Sequence, residues 1–176
     1  MTRLDGAYWK CINLITPACG PNVEDMSMAY QNCTNLTSAV CGEKVQDFAA
    51  AYANCSKLTR AVFGPNVTSI SSSYYNCRGI QGNTYISSNN VYTVASCFYN
   101  RHTGNMLNIY VHDNSKTLTS LLISNIYSLV GRTMNWRNDI TNKCYYDSGY
   151  NIYIYSVANV EEARIANGDP DYMGNL

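Results

Sequence analysis

Residues 26–45 read MSMAYQNCTNLTSAVCGEKV and residues 48–67 read FAAAYANCSKLTRAVFGPNV; set one over the other, they match in step at an interval of 22. Tyr8, Tyr30, Tyr52 and Tyr74 keep that interval, as do Cys11, Cys33, Cys55 and Cys77, and so do Leu14, Leu36, Leu58 and Ile80. A short fixed period marks a solenoid, in which each unit buries its apolar positions only against its neighbours. The period therefore predicts columns of like side chains, with the four tyrosines and four cysteines turned inward. Stacked coils set equivalent residues roughly 5 Å apart with parallel side-chain directions, which suits packed thiols better than disulfide geometry. Cys19, Cys41, Phe63 and Tyr85 form a second, shorter column that reads as apolar packing.

Within a unit, Tyr30, Cys33 and Leu36 recur at the spacing of a tight helical or 3₁₀-like turn. Ala39-Val40-Cys41 then alternates like a short strand, with Ala39 and Cys41 inward and Val40 outward. Gly20, Gly42 and Gly64 fill one slot, followed by Pro21 and Pro65 in two of the three units, and read as a recurring turn. Val91, Val94 and Phe98 repeat Val67, Ile70 and Tyr74 with two residues inserted, and Met106 to Val111 predicts a fifth strand of the same sheet. The cysteine slot is lost near Arg101 and His102.

From Asp113 the period disappears. Leu118, Leu121, Leu122 and Ile126 predict a helix over 115–129, Thr133 to Trp136 a short strand, and Tyr150 to Val157 a clear strand. Val160 to Ala166 predicts a last helical turn stopped by Asn167-Gly168, with a loose tail beyond. The expected architecture is an α/β solenoid over 1–112 with a small C-terminal α/β capping segment over 113–176. Met1 and Leu4 occupy the slots of Val23 and Met26, so the chain opens partway through a unit without a polar cap. It reads as a fragment, or as a chain whose first coil is covered by a partner.

Composition narrows the function. Charged residues are 14% of 176, and 12 basic residues balance 12 acidic ones. With no basic cluster, neither nucleic acid nor an anionic membrane is the expected main partner. No apolar run approaches the roughly 20 residues that cross a bilayer, and the first residues lack a signal-peptide core. A weakly charged surface rich in Asn, Ser, Thr and Tyr is that of extracellular or virion proteins.

The unit Ala29-Tyr30-x-Asn-Cys33-x-x-Leu36-Thr37, followed by a short strand and a Pro near Pro65, resembles the BspA-like leucine-rich repeats over residues 1 to about 111. Tyr stands where that family usually has Phe, and alanines thin the strand slots. The resemblance implies a right-handed, leucine-rich-repeat-like coil of short parallel strands and helical turns. Combined with the tail from Leu107 onward, it looks like the tail or fibre proteins of phages of gut Firmicutes. That likeness implies a non-enzymatic virion protein acting in assembly or host-surface attachment. Its partners would be a host cell-surface glycan or protein and other tail subunits, within a larger chain or assembly. The broader family also includes bacterial and protist surface adhesins, which makes a cell-surface adhesin fragment the alternative.

No catalytic, metal or cofactor site is expected. His102 and His112 are the only histidines, and no nucleophile elbow or phosphate loop is present. Asp25 and Asp47 share a slot, and stacking would bring their carboxylates to the separation that retaining glycosidases use; a polysaccharide-cleaving solenoid is thus a minor reading. The sequons at Asn32, Asn35, Asn54 and Asn66 recur because the repeat does. The surface of interest is the outward strand face, with Ser38, Val40, Arg60, Val62, Tyr110, Tyr153 and Tyr155 as candidate contacts for a ligand or partner. Tyrosine offers a large amphipathic contact at low entropic cost, unless the C-terminal helix or a second subunit covers this face.

Overall fold

The computed structural model describes residues 1–102, 104–112, 137–139, 144–147 and 151–169, with 137–139 and 144–147 described as backbone only. The turns that carry the tyrosines lie over one another in register. Isolated parallel bridges join Arg3 to Asp25, Asp25 to Asp47, Asp47 to Ser69 and Ser69 to Thr93. At each junction four N–H groups donate to four carbonyls of the next turn. Met26, Met28, Tyr30 and Asn32 donate to Asp47, Ala49, Ala51 and Ala53, and the same set recurs from 4–10 to 25–31, from 48–54 to 69–75 and from 70–76 to 93–99.

Side chains follow the backbone register. The Tyr8, Tyr30, Tyr52, Tyr74 and Phe98 rings stack in sequence, with centroids 5.0, 5.1, 5.7 and 6.0 Å apart. The thiols of Cys33, Cys55 and Cys77 each donate to the tyrosine-slot carbonyl one turn back, at 3.0, 3.1 and 3.0 Å. Cys33, Cys55 and Cys77 are fully buried and unbridged. Arg101 takes their slot in the last turn, where burial lowers its pKa to about 10. Its guanidinium donates to the carbonyls of His102, Asn105 and Asn151.

The expected leucine-rich-repeat-like α/β solenoid is nevertheless corrected. Among the described residues, regular structure amounts to one short helix and one small open sheet with three parallel strands, and no strand or helix recurs with the repeat. Two features of the unit explain this.

The first concerns the turns. Met28 and Asn32, Ala50 and Asn54, Ser72 and Asn76, and Ser96 and Asn100 have φ between 53° and 65°. A left-handed residue at every fourth position excludes a helical turn, and Asn, which tolerates that region, fills one of the two slots. Ala50→Gly is therefore expected to raise stability by about 1 kcal/mol despite glycine's entropy. A fall in the thermal midpoint would contradict it.

The second feature concerns the expected strands. The Tyr52 hydroxyl donates to the Val40 carbonyl at 2.9 Å and accepts from the Val40 N–H at 2.9 Å. Tyr74 does the same at Val62, at 2.7 and 2.9 Å, and Tyr30 at Ala18. A parallel ladder would use both of those backbone groups for its neighbour; here a side chain from 12 residues later occupies them.

Strands begin after the fourth turn. β1 (Gly82–Ile86) pairs in parallel with β2 (Leu107–His112), which pairs in parallel with β5 (Ile152–Val157). β4 (Cys144–Asp147) and β3 (Arg137–Asp139) follow antiparallel, so the sheet order is β1-β2-β5-β4-β3. Leu107, Ile109, Val111, Ile152 and Ile154 face the core that runs up from the turns. Helix α1 (Val160–Ala166) is capped by Asn159, whose side chain accepts from Glu161 and Glu162, and it packs on β1 and β2. The helix expected over 115–129, the strand over 133–136 and the tail beyond 169 lie outside the described residues.

Burial has a consequence in alkali. It pushes the Cys77 thiol from 9.0 up to about 12 and the Tyr30 phenol from 10.0 up to about 12. The folded state thus holds these protons more tightly than the unfolded chain. Their contribution is complete below the unfolded values and is lost as pH rises through the folded ones. The urea midpoint should hold level up to about pH 9 and fall steadily towards about pH 12; a midpoint that is unchanged across that window would contradict it.

Candidate functional site

The outward face of the three parallel strands is ordered by register. Asn83, Asn108 and Tyr153 form one row, and Tyr85, Tyr110 and Tyr155 the next. In the second row the rings stack at 4.9 and 4.8 Å, and Tyr153 lies 6.5 Å from Tyr155. In the first, the Asn108 amide donates to Asn83 at 2.8 Å, and Asn83 donates to Asp169 at 2.7 Å. Tyr85 was expected to extend the Cys19–Cys41–Phe63 column inward. Instead, Phe63 packs edge-on against Tyr74 and Phe98, while Tyr85 sits with the outward row under Asn167 and Asp169. The insertion that starts at Gly82, with φ of 76°, shifts its register.

Asp169 gathers the site. Its carboxylate takes Arg60 at 2.6 Å, Asn83 at 2.7 Å and the Tyr85 hydroxyl at 2.6 Å. Burial pushes this carboxyl up, but the hydrogen bonds from Tyr85, Asn83 and Arg60 outweigh it and hold the pKa below the usual range. The same burial, followed by the bond to Asp169, pushes the Tyr85 phenol up. Thr59, Arg60, Gln81, Gly82, Asn83, Met106, Asn108 and Asp169 line an open groove of about 400 Å³. Asn108 is buried, and among the described residues its Oδ1 has no hydrogen-bond partner. A buried acceptor left unmet costs about 1–3 kcal/mol.

Of the expected contact residues, Arg60 lines this groove, and Tyr110, Tyr153 and Tyr155 are half-buried on the adjoining face. Ser38 is exposed, Val40 half-buried, and Val62, inside the core cluster, offers no surface. α1 and Asn167 cover the Tyr85 end of the face. Asn83, Asn108 and Asp169 were not anticipated; the shared spacing of Asn83 and Asn108 in consecutive strands was the available signal, and Asp169 gave none.

Asp25 and Asp47 are neighbours in the stack, as expected, but each serves its own turn. Asp25 Oδ1 accepts from the Ser27 N–H at 2.9 Å and hydroxyl at 2.7 Å, and Asp47 Oδ1 accepts from the Ala49 N–H at 2.9 Å. Asp25 also pairs with Arg3 at 3.1 Å. His102 Nδ1 accepts from the Gly104 N–H, and His112 lies 3.3 Å from the Ala158 carbonyl. No family model, curated protein or solved structure matches this chain.

Proposed function

We infer that this chain is a non-enzymatic recognition module whose groove and tyrosine face bind a neutral, hydroxyl- and amide-rich polymer such as a host-surface glycan. That is the attachment work of a phage tail or fibre protein, the role implied by the sequence resemblance. One observation carries the reading: an open groove walled by Thr59, Gln81, Asn83 and Asn108 lies beside a row of stacked tyrosines. Arg60, the one cation among its described lining residues, is already paired with Asp169, so the groups left to a ligand are amides and hydroxyls, suited to an uncharged one. A rigid face of this kind, repeated in an assembly, gains avidity from many weak contacts.

The test is a glycan array of host-derived surface polymers, followed by titration of any positive. Gln81→Ala and Asn83→Ala are expected to weaken binding by about tenfold each, the cost of one hydrogen bond of ordinary strength. Silence across neutral glycans, or binding indifferent to both changes, would contradict the reading.

A further inference from the structure

The last two turns of the stack depart together from the two before them. Tyr75 and Tyr99 fill a slot that holds Gln31 and Ala53 in the earlier turns, and Arg78 and His102 fill one that holds Thr34 and Ser56. Between the two slots runs the column of Asn54, Asn76 and Asn100. Register pairs these side chains. Tyr75 and Tyr99 stack with centroids 5.1 Å apart and planes 3° from parallel, and Tyr75 is 36% exposed. The Asn100 amide donates to Asn76 at 2.8 Å, and the Asn76 amide donates to Asn54 at 2.9 Å. The His102 N–H donates to the Arg78 carbonyl at 3.0 Å, which sets these two residues on adjoining turns. His102 Nδ1 accepts from the Gly104 N–H at 3.1 Å, so the proton of the neutral ring sits on Nε2, a donor.

Charge is segregated in the same sense. Asp5, Glu24, Asp25, Glu43 and Asp47 all precede the tyrosine of their turn, whereas Lys57, Arg78 and His102 follow the aromatic of theirs. Residues 54–59, 76–81 and 100–106, which build this edge, contain no Asp or Glu. Among the described residues neither Lys57 nor Arg78 enters an ion pair, and the Arg78 side chain donates to Asn76 Oδ1 at 3.4 Å. A chain whose charges cancel overall thus carries one edge of positive potential, lined with tyrosine and asparagine.

We propose that this edge is a second binding site, for a carboxylate-bearing sugar of an acidic glycan. The Arg78 guanidinium pairs with the carboxylate, a charge-assisted bond that its planar fork suits. His102 Nε2, the Asn100 carbonyl oxygen and the two phenol hydroxyls meet the sugar hydroxyls, and the tyrosine rings give an amphipathic contact. A nucleic acid, with a charge on every residue, asks for more cations than this edge holds. The groove's lining residues take no part, so the site stands whether or not the groove binds a neutral polymer.

The probe is trigalacturonate, titrated into the isotope-labelled full chain and followed by NMR. Saturable shifts are expected at residues 75–78 and 99–102, and none there with maltotriose, a neutral trisaccharide. Arg78→Ser puts back the residue that the preceding turn carries at Ser56, so the fold accommodates it; binding should weaken by about tenfold or more. Tyr75→Ala, which likewise puts back the residue of Ala53, should also weaken binding. Lys44→Gln, which removes a cation from the segment before the tyrosine slot, should leave it unchanged. Four results would overturn the proposal: no saturable shift at millimolar trigalacturonate, equal shifts at this edge with maltotriose, binding indifferent to Arg78→Ser, or tighter binding of single-stranded DNA at the same residues.

Discussion

Tyr74→Phe is expected to destabilise the protein by about 2–4 kcal/mol, an unusually large cost for deleting one oxygen. The ring is wholly buried, and its hydroxyl donates to the Val62 carbonyl at 2.7 Å and accepts from the Val62 N–H at 2.9 Å. Val62 is itself buried at 6% exposure, so neither backbone group can turn to water once the hydroxyl is gone. Each unmet group costs about 1–3 kcal/mol, and the two sit on one residue. The matched control is Tyr8→Phe, whose hydroxyl clasps no backbone group among the described residues; it should shift the urea midpoint little. Equal effects at the two positions would show that the hydroxyl clasp does not hold the stretch before each tyrosine.

Gly64→Ala should cost about 2–3 kcal/mol, in the range of overpacked cores. A Cβ there would meet the Gly42 carbonyl oxygen at 2.6 Å and the Cys41 sulfur at 3.0 Å, and the first of these is backbone that cannot swing aside. The equivalent Gly42 would meet the Cys19 sulfur at 2.9 Å and the Gly20 carbonyl only at 3.5 Å, so its cost should be smaller. At Gly20 nothing lies closer than 3.8 Å, and Gly20→Ala should be nearly neutral. Three glycines in one slot thus predict a graded series, read as ordered thermal midpoints. A flat series would mean that close approach of successive turns is not the reason for glycine there.

The sequence carried the register well, because stacking demands like residues at a fixed interval and Tyr30, Cys33 and Leu36 advertise it. Ile152 and Ile154 against Tyr153 and Tyr155 likewise announced β5, and Asn167-Gly168 announced the end of α1. Local geometry was less legible. Apolar spacing of Tyr30, Cys33 and Leu36 is shared by a helical turn and by a turn with two left-handed residues; the asparagine at Asn32, Asn54 and Asn76 was the clue between them. The tyrosine that stands where the resembled family has phenylalanine was visible, but its target 12 residues back in the chain was not. A hydroxyl's destination leaves no periodic trace.

The groove was less legible still. Arg60 was singled out, yet its partner Asp169 comes from 109 residues away, past the point where the period ends. The insertion from Gly82 moved Tyr85 out of the inward column, a change that counting slots cannot foresee.

The account turns on ring lying over ring at one turn's spacing. Solution NMR of the full chain tests this directly, through nuclear Overhauser contacts between the rings of Tyr8 and Tyr30, Tyr30 and Tyr52, Tyr52 and Tyr74, and Tyr74 and Phe98. With centroids 5.0 to 6.0 Å apart, all four contacts are predicted, each linking a residue only to its neighbours in the series. Absence of these contacts in a folded sample, or contacts that skip a member of the series, would contradict it.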